Sequence, residues 1–520
     1  MNKTSQKPFG KFRAFLLPIH SHECKKFVPM FLIFFLIAFI YNLLRASKDT
    51  LIVTAASSGA EAIPFIKVWF MLPMAFLMTY VFTRISNRFS KERSFYLMVS
   101  IFLGFFFLFT FVLFPNRDHL HPHTFADTVQ SYLPLGCKGF VAIFRNWIFS
   151  LFYVMSELWS AIIFTVVFWG FANEVTSMRE AKRFYGLFSL GANISGIVAG
   201  KVILVLSNNL FFPSLPYGTT PWEQYIFFLN ATILIAGLAV IALFRVLYKR
   251  TLAFEKVSPT KKQPKMKMSL RNNFRYLLKS RYLLSIALIV LAYNVSINLV
   301  EVVWKNQVKQ LYPDPSDFTY FMGQVMICMG LLATCTSFFI TGFCLRRFSW
   351  TTNAVIAPLV MLITGGAFFF VLLCDYYGFS FSQALLGSSS LLLSVILGTV
   401  QNCFARASKY TLFDATKELA FVPLSKESKW RGKASIDGVG SRLGKSGGSL
   451  LYQVLLMGFV TVSATIPIVA LLFFGVIGVW ITSVVSLGKK FSLLSSEEEK
   501  EETIRDAAPI PAKPAMEKPI

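Results

Sequence analysis

Apolar runs of about 20 residues recur along this 520-residue chain, and they constrain its fold more than any other feature. A helix needs roughly 20 apolar residues to cross the hydrocarbon core of a bilayer, where every backbone polar group must be hydrogen-bonded within the protein. Only 15% of the residues are charged, whereas soluble domains carry about 25%. The sequence therefore predicts an all-α polytopic membrane protein.

The apolar runs predict about twelve transmembrane helices. The fourth is too long for one perpendicular span and is expected to tilt or protrude. Lys and Arg residues collect at the amino end and in the loops that follow even-numbered spans, which places both termini in the cytoplasm. The predicted spans are 27–46, 62–83, 94–115, 139–171, 184–206, 223–247, 282–304, 318–345, 351–374, 384–405, 435–459 and 464–487.

The basic segment 248–281 divides the predicted spans into two groups of six. It carries eleven Lys and Arg residues against one acid, which is typical of a cytoplasmic linker that touches anionic lipid. The predicted organisation is an N-terminal six-helix half (1–247), this linker, and a C-terminal six-helix half (282–488). An acidic and Pro/Ala-rich tail, 489–520, is predicted to be disordered.

The two halves show weak internal similarity. When span 1 is shifted by 256 residues onto span 7, Arg45 falls on Glu301 and Asp49 falls on Lys305, so polar positions coincide while charges reverse. Two six-helix halves around a midplane site are the plan of a secondary transporter of the major-facilitator type. The pattern thus predicts a transporter that works by alternating access.

Charged residues lie within or at the ends of several predicted spans. A charge near the bilayer centre costs at least about 2.5–3.5 kcal/mol, so such residues are retained where they face a wet cavity and a ligand. Structural ion pairs between helices, for example Arg45 with Glu301, are the alternative interpretation. The predicted substrate-binding residues are Arg45, Lys48, Lys67, Arg145, Lys305 and Lys445, and those for coupling or charge balance are Asp49, Glu157 and Glu301.

The excess of cations among these residues indicates an anionic substrate, because Arg and Lys bind phosphate and carboxylate groups. Basic lining alone does not identify a nucleotide, so a transporter of another organic anion remains open. The chain's histidines miss the predicted spans, so a coupled proton would have to be carried by a carboxylate.

An enzymatic function is not predicted. Gly440 and Gly444-Lys445-Ser446 resemble a phosphate-binding P-loop, but three residues rather than four separate the glycines, and no strand precedes them. A membrane enzyme acting on phosphorylated lipids would need clustered acids that bind Mg²⁺, and the sequence has none at the predicted helix ends. No cofactor, metal site or nucleic-acid partner is predicted.

Several ordered motifs resemble the ATP:ADP antiporter family, the nucleotide transporters of plastids and obligate intracellular bacteria. The resemblance covers nearly the whole chain and is strongest to the chlamydial members. It implies nucleotide substrates, and it implies that Lys67, Glu157, Glu301 and Lys445 match charged residues associated with transport in the family. The motifs are Leu44-Arg-Ala-Ser-Lys-Asp-Thr50, Ala60-Glu-Ala-Ile-Pro-Phe-Ile-Lys67, Ser156-Glu-Leu-Trp159, Phe168-Trp-Gly-Phe-Ala-Asn-Glu174 and Glu180-Ala-Lys-Arg-Phe-Tyr185.

One position departs from the family pattern. Exchangers of the family typically have Leu-Arg-Asp-Thr-Lys-Asp, whereas this chain has Ala46-Ser47 in place of Asp-Thr. The lost acid beside Arg45 favours proton-coupled import of nucleoside triphosphates, including ATP, with ATP/ADP exchange as the alternative. The resemblance and the absence of a long transit peptide predict a multi-pass protein of the bacterial inner membrane. A monomer is expected.

Overall fold

The computed structural model describes residues 19–208, 211–249, 280–379, 389–425, 432, 436 and 441–507. Within those ranges the chain is helical and contains no β-strand. Eleven described helices are long and apolar enough to cross a membrane, and we number them spans 1–10 and 12 in chain order. They are Cys24–Val53, Ala62–Arg88, Lys91–Leu113, Trp147–Asn173, Arg183–Ser207, Pro221–Leu247, Arg281–Leu311, Pro315–Arg347, Trp350–Tyr376, Ser390–Ala420 and Ser463–Leu494.

The predicted span 11 corresponds to the helix Ser441–Phe459. Its 19 residues extend about 28 Å at 1.5 Å per residue, close to the thickness of the hydrocarbon core. The helix begins with polar and small residues, so the described part is less apolar than the other spans. Most of the predicted residues 435–440 lie outside the described part of the chain. The prediction of an all-helical polytopic membrane protein is confirmed.

The predicted fourth span, 139–171, is divided at Asn146. A separate helix, Lys138–Arg145, ends there, and span 4 begins at Trp147. The backbone at Asn146 leaves the helical region (φ −109°, ψ 47°), and its side-chain amide donates to the carbonyl oxygens of Ala56 and Ala142 at 3.2 Å each. The long apolar run is therefore one span preceded by a short helix. Two further short helices, Arg117–Leu120 and His123–Tyr132, lie in the same connection.

Of the two predicted charged segments, the basic linker lies almost wholly outside the described residues and the tail lies partly outside them. Of the basic linker 248–281, only residues 248–249 and 280–281 are described. The last helix, Ile466–Ala507, continues through residues 489–507, which the sequence predicts as disordered, and 508–520 are not described.

Spans 5 and 8 approach each other closely at small residues. A β-carbon on Gly200 would lie 2.8 Å from the carbonyl oxygen of Gly323, and one on Gly330 would lie 3.1 Å from the carbonyl oxygen of Asn193. Such small-residue contacts let membrane helices pack backbone to backbone. Span 1 packs against spans 4, 5 and 6, while span 7 packs against spans 10, 11 and 12. Spans 1 and 7 also contact each other directly.

Candidate functional site

A chain of buried ion pairs joins span 1 to span 7. The ammonium group of Lys305 lies 2.8 Å from the carboxylate of Asp49 and 2.9 Å from that of Glu301. Asp49 also pairs with its neighbour Lys48 at 2.8 Å. Lys48, Asp49 and Lys305 are all at most 3% exposed. Because isolated charges at this depth are costly, each of the three is held by an opposite charge.

Glu301 is the meeting point of three cations. Besides Lys305, its carboxylate lies 3.4 Å from the ammonium group of Lys67 in span 2 and 3.4 Å from the guanidinium of Arg406 in span 10. Lys67 also donates to the amide oxygen of Asn298 at 2.6 Å. Lys67 lies in a π-helical turn, Ile66–Phe70, a distortion that is frequent at functional sites. One carboxylate thus organises charges from spans 2, 7 and 10.

Glu157 extends the network into span 4. Its carboxylate lies 3.2 Å from Lys48, and the Lys48 ammonium group also lies 3.8 Å above the ring centre of Tyr153. The Glu157 side chain is 25% exposed, so this end of the network is more accessible than the Asp49 end. The network therefore runs from a nearly closed interior to a partly open region.

Positive charge exceeds negative charge in this group. Arg45, which lines a cavity beside these residues, brings the described cations to five, against three carboxylates. An excess of two positive charges in a poorly solvated interior favours an anionic ligand over an empty state. The described cations are Arg45, Lys48, Lys67, Lys305 and Arg406, and the carboxylates are Asp49, Glu157 and Glu301.

A small cavity lies beside the network, with room for about one water molecule. A larger ligand therefore requires the surrounding spans to move apart. One wall is polar and the other apolar, which suits a ligand with a charged part and an apolar part. The polar wall has Arg45, Asp49, Glu301, Lys305, Asn402 and Arg406, and the apolar wall has Ala46, Trp304, Met322, Val325, Met326 and Met329.

Gly398 permits the close approach of Trp304 to span 10. A β-carbon at this position would lie 2.3 Å from a ring carbon of Trp304. The indole nitrogen of Trp304 donates to the hydroxyl of Thr399 at 3.2 Å and to the carbonyl oxygen of Val395 at 3.3 Å. Trp304, which lines the cavity, is therefore held against span 10.

The structure brings together seven of the nine residues that the sequence nominates. Arg45 and Glu301 both line the cavity, but they do not form the suggested pair: the Arg45 guanidinium lies 3.8 Å from the sulfur of Met329. Arg145 is not brought into the network, because it ends the helix before span 4 and pairs with Asp127. The backbone of Lys445 lies in the helix Ser441–Phe459, but its side chain is outside the described residues.

Arg406 is not among the residues that the sequence nominates. The predicted span 10 ends at residue 405, one residue before Arg406, whereas the helical span continues to Ala420. A signal was present, because Asn402 and Arg406 are four residues apart and share one helical face.

The positions of Lys67 and Arg145 predict different effects of substitution. We expect Lys67→Ala to lower the rate of substrate transport at least about tenfold, because it removes a cation that contacts both Asn298 and Glu301. Arg145→Ala should keep the rate within about threefold of the unchanged protein, since its partner Asp127 lies outside the spans. Uptake into cells with equal amounts of each protein measures both. Equal losses would place Arg145 in the transport path.

Comparison with known proteins agrees with this architecture. Residues 2–491 match the model of the TLC ATP/ADP transporter family. The chain belongs to this family. It is therefore a multi-pass membrane transporter and not an enzyme, as the sequence analysis predicts.

Relatives in this family match almost the full chain. The chain is 44% identical over 505 residues to ADP,ATP carrier protein 1 of Chlamydia trachomatis, with 96% of this chain and 95% of the relative covered. It is 38% identical over 488 residues to the chloroplastic ADP,ATP carrier protein 1 of Arabidopsis thaliana, with 94% and 77% covered. The predicted resemblance to chlamydial and plastid carriers is confirmed.

Solved transporters share the fold at low sequence identity. A bacterial homologue of the iron transporter ferroportin in an inward-facing state superposes with a TM-score of 0.51 at 14% identity, covering 91% of this chain and 98% of that one. The nucleoside transporter NupG superposes with a TM-score of 0.51 at 13% identity, covering 90% and 99%. The predicted major-facilitator-like architecture is confirmed.

Proposed function

We propose that this transporter exchanges ATP for ADP across a membrane by alternating access. The observation that carries the proposal is the cation-rich network around Glu301, in which spans 1, 2, 4, 7 and 10 place five cations against three carboxylates. Nucleotide phosphates need several charge-assisted donors, and Arg and Lys supply them. The relatives named as ADP,ATP carriers support ATP and ADP as the substrates.

Exchange fits the comparisons better than proton-coupled import, which the sequence analysis preferred. The relatives at 38–45% identity are named as ADP,ATP carriers. The preference for proton coupling rested on Ala46, and it is not confirmed. Ala46 does line the cavity, so the departure from the family pattern leaves the cavity with one acid fewer. In the proposed mechanism this change strengthens anion binding and does not by itself create a proton carrier.

Alternating access requires that contacts between the two groups of spans break and re-form. Such contacts lie near the end of span 1 and the start of span 8, where the hydroxyl oxygens of Thr50 and Thr319 are 2.8 Å apart. On the same side, Lys309 donates to the carbonyl oxygen of Ser58, and Gln453 donates to that of Pro64 at 2.8 Å. The opposite face must open and close in turn for substrate to pass.

Locking the contact between spans 1 and 8 should stop transport. We expect the double variant Thr50→Cys/Thr319→Cys to lose uptake after treatment with a short thiol cross-linker, because the two hydroxyls are only 2.8 Å apart. Uptake should return when a cleavable cross-link is reduced. Each single cysteine variant treated in the same way is the control. Full uptake by a demonstrably cross-linked protein would exclude movement at this contact.

Exchange is tested with purified protein in liposomes. Vesicles loaded with ADP should take up labelled ATP, empty vesicles should not, and dissipation of a proton gradient should leave uptake unchanged. Uptake into empty vesicles that requires an inward proton gradient would instead establish proton-coupled import. Absence of nucleotide uptake by correctly inserted protein, together with uptake of another organic anion, would overturn the proposed substrate.

The proposed location is a bacterial inner membrane with both termini in the cytoplasm. The asymmetric placement of Lys and Arg, with a basic amino end and basic loops after spans 2 and 4, supports this orientation. The test introduces a single cysteine at either end of the protein and treats intact cells with an impermeant thiol reagent. Cysteines in the cytoplasm should stay unlabelled.

A further inference from the structure

Two residues of span 10 that line the cavity each have a polar group without a hydrogen-bond partner among the described residues. The side-chain oxygen of Asn402 and the Nε–H of Arg406 are both buried and unpaired. Asn402 is only 1% exposed, and its amide nitrogen already donates to the carbonyl oxygen of Gly398 at 2.9 Å. Buried polar groups are nearly always paired, so an acceptor and a donor left open beside one cavity indicate a ligand.

The single described contact of Arg406 with an acid is also weak. Its guanidinium lies 3.4 Å from Glu301, whereas charge-assisted hydrogen bonds are typically about 2.7–2.9 Å long. Glu301 is shared with Lys67 and Lys305, so it cannot satisfy all three cations fully. Arg406 therefore has N–H donors to spare for an anion, and Arg45 lines the same cavity.

We propose that Asn402 and Arg406 form a nucleotide subsite, an inference that rests on the proposed function. Arg406, together with Arg45, binds phosphate oxygens through its planar N–H fork. The side-chain oxygen of Asn402 accepts a hydrogen bond from an N–H or O–H group of the nucleoside. The methionine wall, Met322, Met326 and Met329, packs against the base or sugar. Glu301 then releases Arg406 as the phosphate arrives.

The cavity has both polar and apolar lining residues, which supports one part for the phosphates and another for the nucleoside. The two arginines, Glu301 and Asn402 belong to the polar wall, and Trp304 and the methionines belong to the apolar wall. A free inorganic anion would use only the polar wall. A nucleotide would use both walls, and it would fill the open positions on Asn402 and Arg406 together. A water molecule bridging the two side chains is the competing explanation.

The chain offers a matched control for each residue. Lys409, three residues after Arg406, carries the same charge on the same span but pairs with Asp414 at 3.3 Å and does not line the cavity. Gln401 is fully buried, and both of its polar atoms lack described partners, yet it too is absent from the cavity wall. Lys409→Gln and Gln401→Ala therefore test whether charge or buried polarity alone accounts for any effect.

The test measures dissociation constants of ATP and of tripolyphosphate for the purified full-length protein. Arg406→Gln should weaken both ligands at least about tenfold, Arg406→Lys should weaken them less, and Lys409→Gln should change neither more than about threefold. Asn402→Ala should weaken ATP about five- to tenfold and leave tripolyphosphate unchanged, while Gln401→Ala should leave both unchanged. Arg406→Lys keeps the charge and serves if Arg406→Gln does not fold.

Other results would overturn the inference. Equal losses in Lys409→Gln and Arg406→Gln would reduce the role of Arg406 to long-range charge. Unchanged ATP affinity in Asn402→Ala would mean that the side-chain oxygen of Asn402 binds a bridging water molecule and not the nucleotide. If the unchanged protein exchanges ATP for ADP in liposomes while these variants bind normally, the subsite is wrong and the proposed function stands. If the unchanged protein binds tripolyphosphate but neither binds nor transports ATP, both fail.

Discussion

Glu301→Gln is expected to lower the ATP transport rate at least about 100-fold while ATP binding is retained. The carboxylate lies within 3.4 Å of Lys67, Lys305 and Arg406. Removing one partner from a buried ion pair costs about 3–5 kcal/mol, and 1.4 kcal/mol corresponds to a factor of ten. The three cations would then lack their common acid. They would hold the phosphates more strongly, and release of the nucleotide would be slow.

The measurement separates binding from transport. Equilibrium binding of ATP to the purified variant should be as tight as in the unchanged protein or tighter, while exchange in liposomes is nearly lost. Asp414→Asn is the control, because Asp414 is an acid on span 10 that pairs with Lys409 and is 39% exposed. It should exchange at close to the normal rate. If Glu301→Gln bound ATP poorly and the residual rate followed occupancy, Glu301 would be needed for binding itself.

The sequence predicts most of the fold because the bilayer imposes a strong and simple pattern. Helical spans follow from long apolar runs, and all twelve predicted positions contain helix in the described part of the chain. The predicted boundaries are wrong where an apolar run and the helix it predicts end at different residues. Asn146 interrupts an apolar run, and Arg406 lies beyond the end of one while remaining in its helix. In both cases the local backbone geometry determines where the helix ends, and hydropathy does not reveal that geometry.

The sequence nominates most residues of the candidate site but does not determine which of them contact each other. Residues four apart share one helical face, so the sequence places Arg45 with Asp49 on span 1 and Glu301 with Lys305 on span 7. The weak repeat suggests that these two faces correspond. This spacing does not determine which charged residues form ion pairs. The structure pairs Asp49 with Lys305 and places Arg45 beside Met329. Partner choice depends on helix rotation and crossing, which spacing along one helix does not determine. The single departure at Ala46 likewise does not determine whether transport is exchange or proton-coupled import.

Asp49→Asn is expected to lower the thermal stability of the solubilised protein strongly. Asp49 lies 2.8 Å from both Lys48 and Lys305, and all three side chains are at most 3% exposed. Without the carboxylate, Lys48 keeps Glu157 and Lys305 keeps Glu301, but two buried ammonium groups then lie near each other with no acid between them. Loss of one member of a buried pair costs about 3–5 kcal/mol in the free energy of unfolding.

The double variant Asp49→Asn/Lys305→Met separates this cause from a general effect of substitution. It removes one of the two ammonium groups that Asp49→Asn leaves with no acid between them. Lys48 still pairs with Glu157, and Glu301 still pairs with Lys67 and Arg406. We therefore expect it to be more stable than Asp49→Asn alone, although it carries one more substitution. Unfolding temperatures in one detergent provide the comparison. If the double variant is less stable than the single one, Asp49 stabilises the protein by packing or hydrogen bonding and not by compensating Lys305.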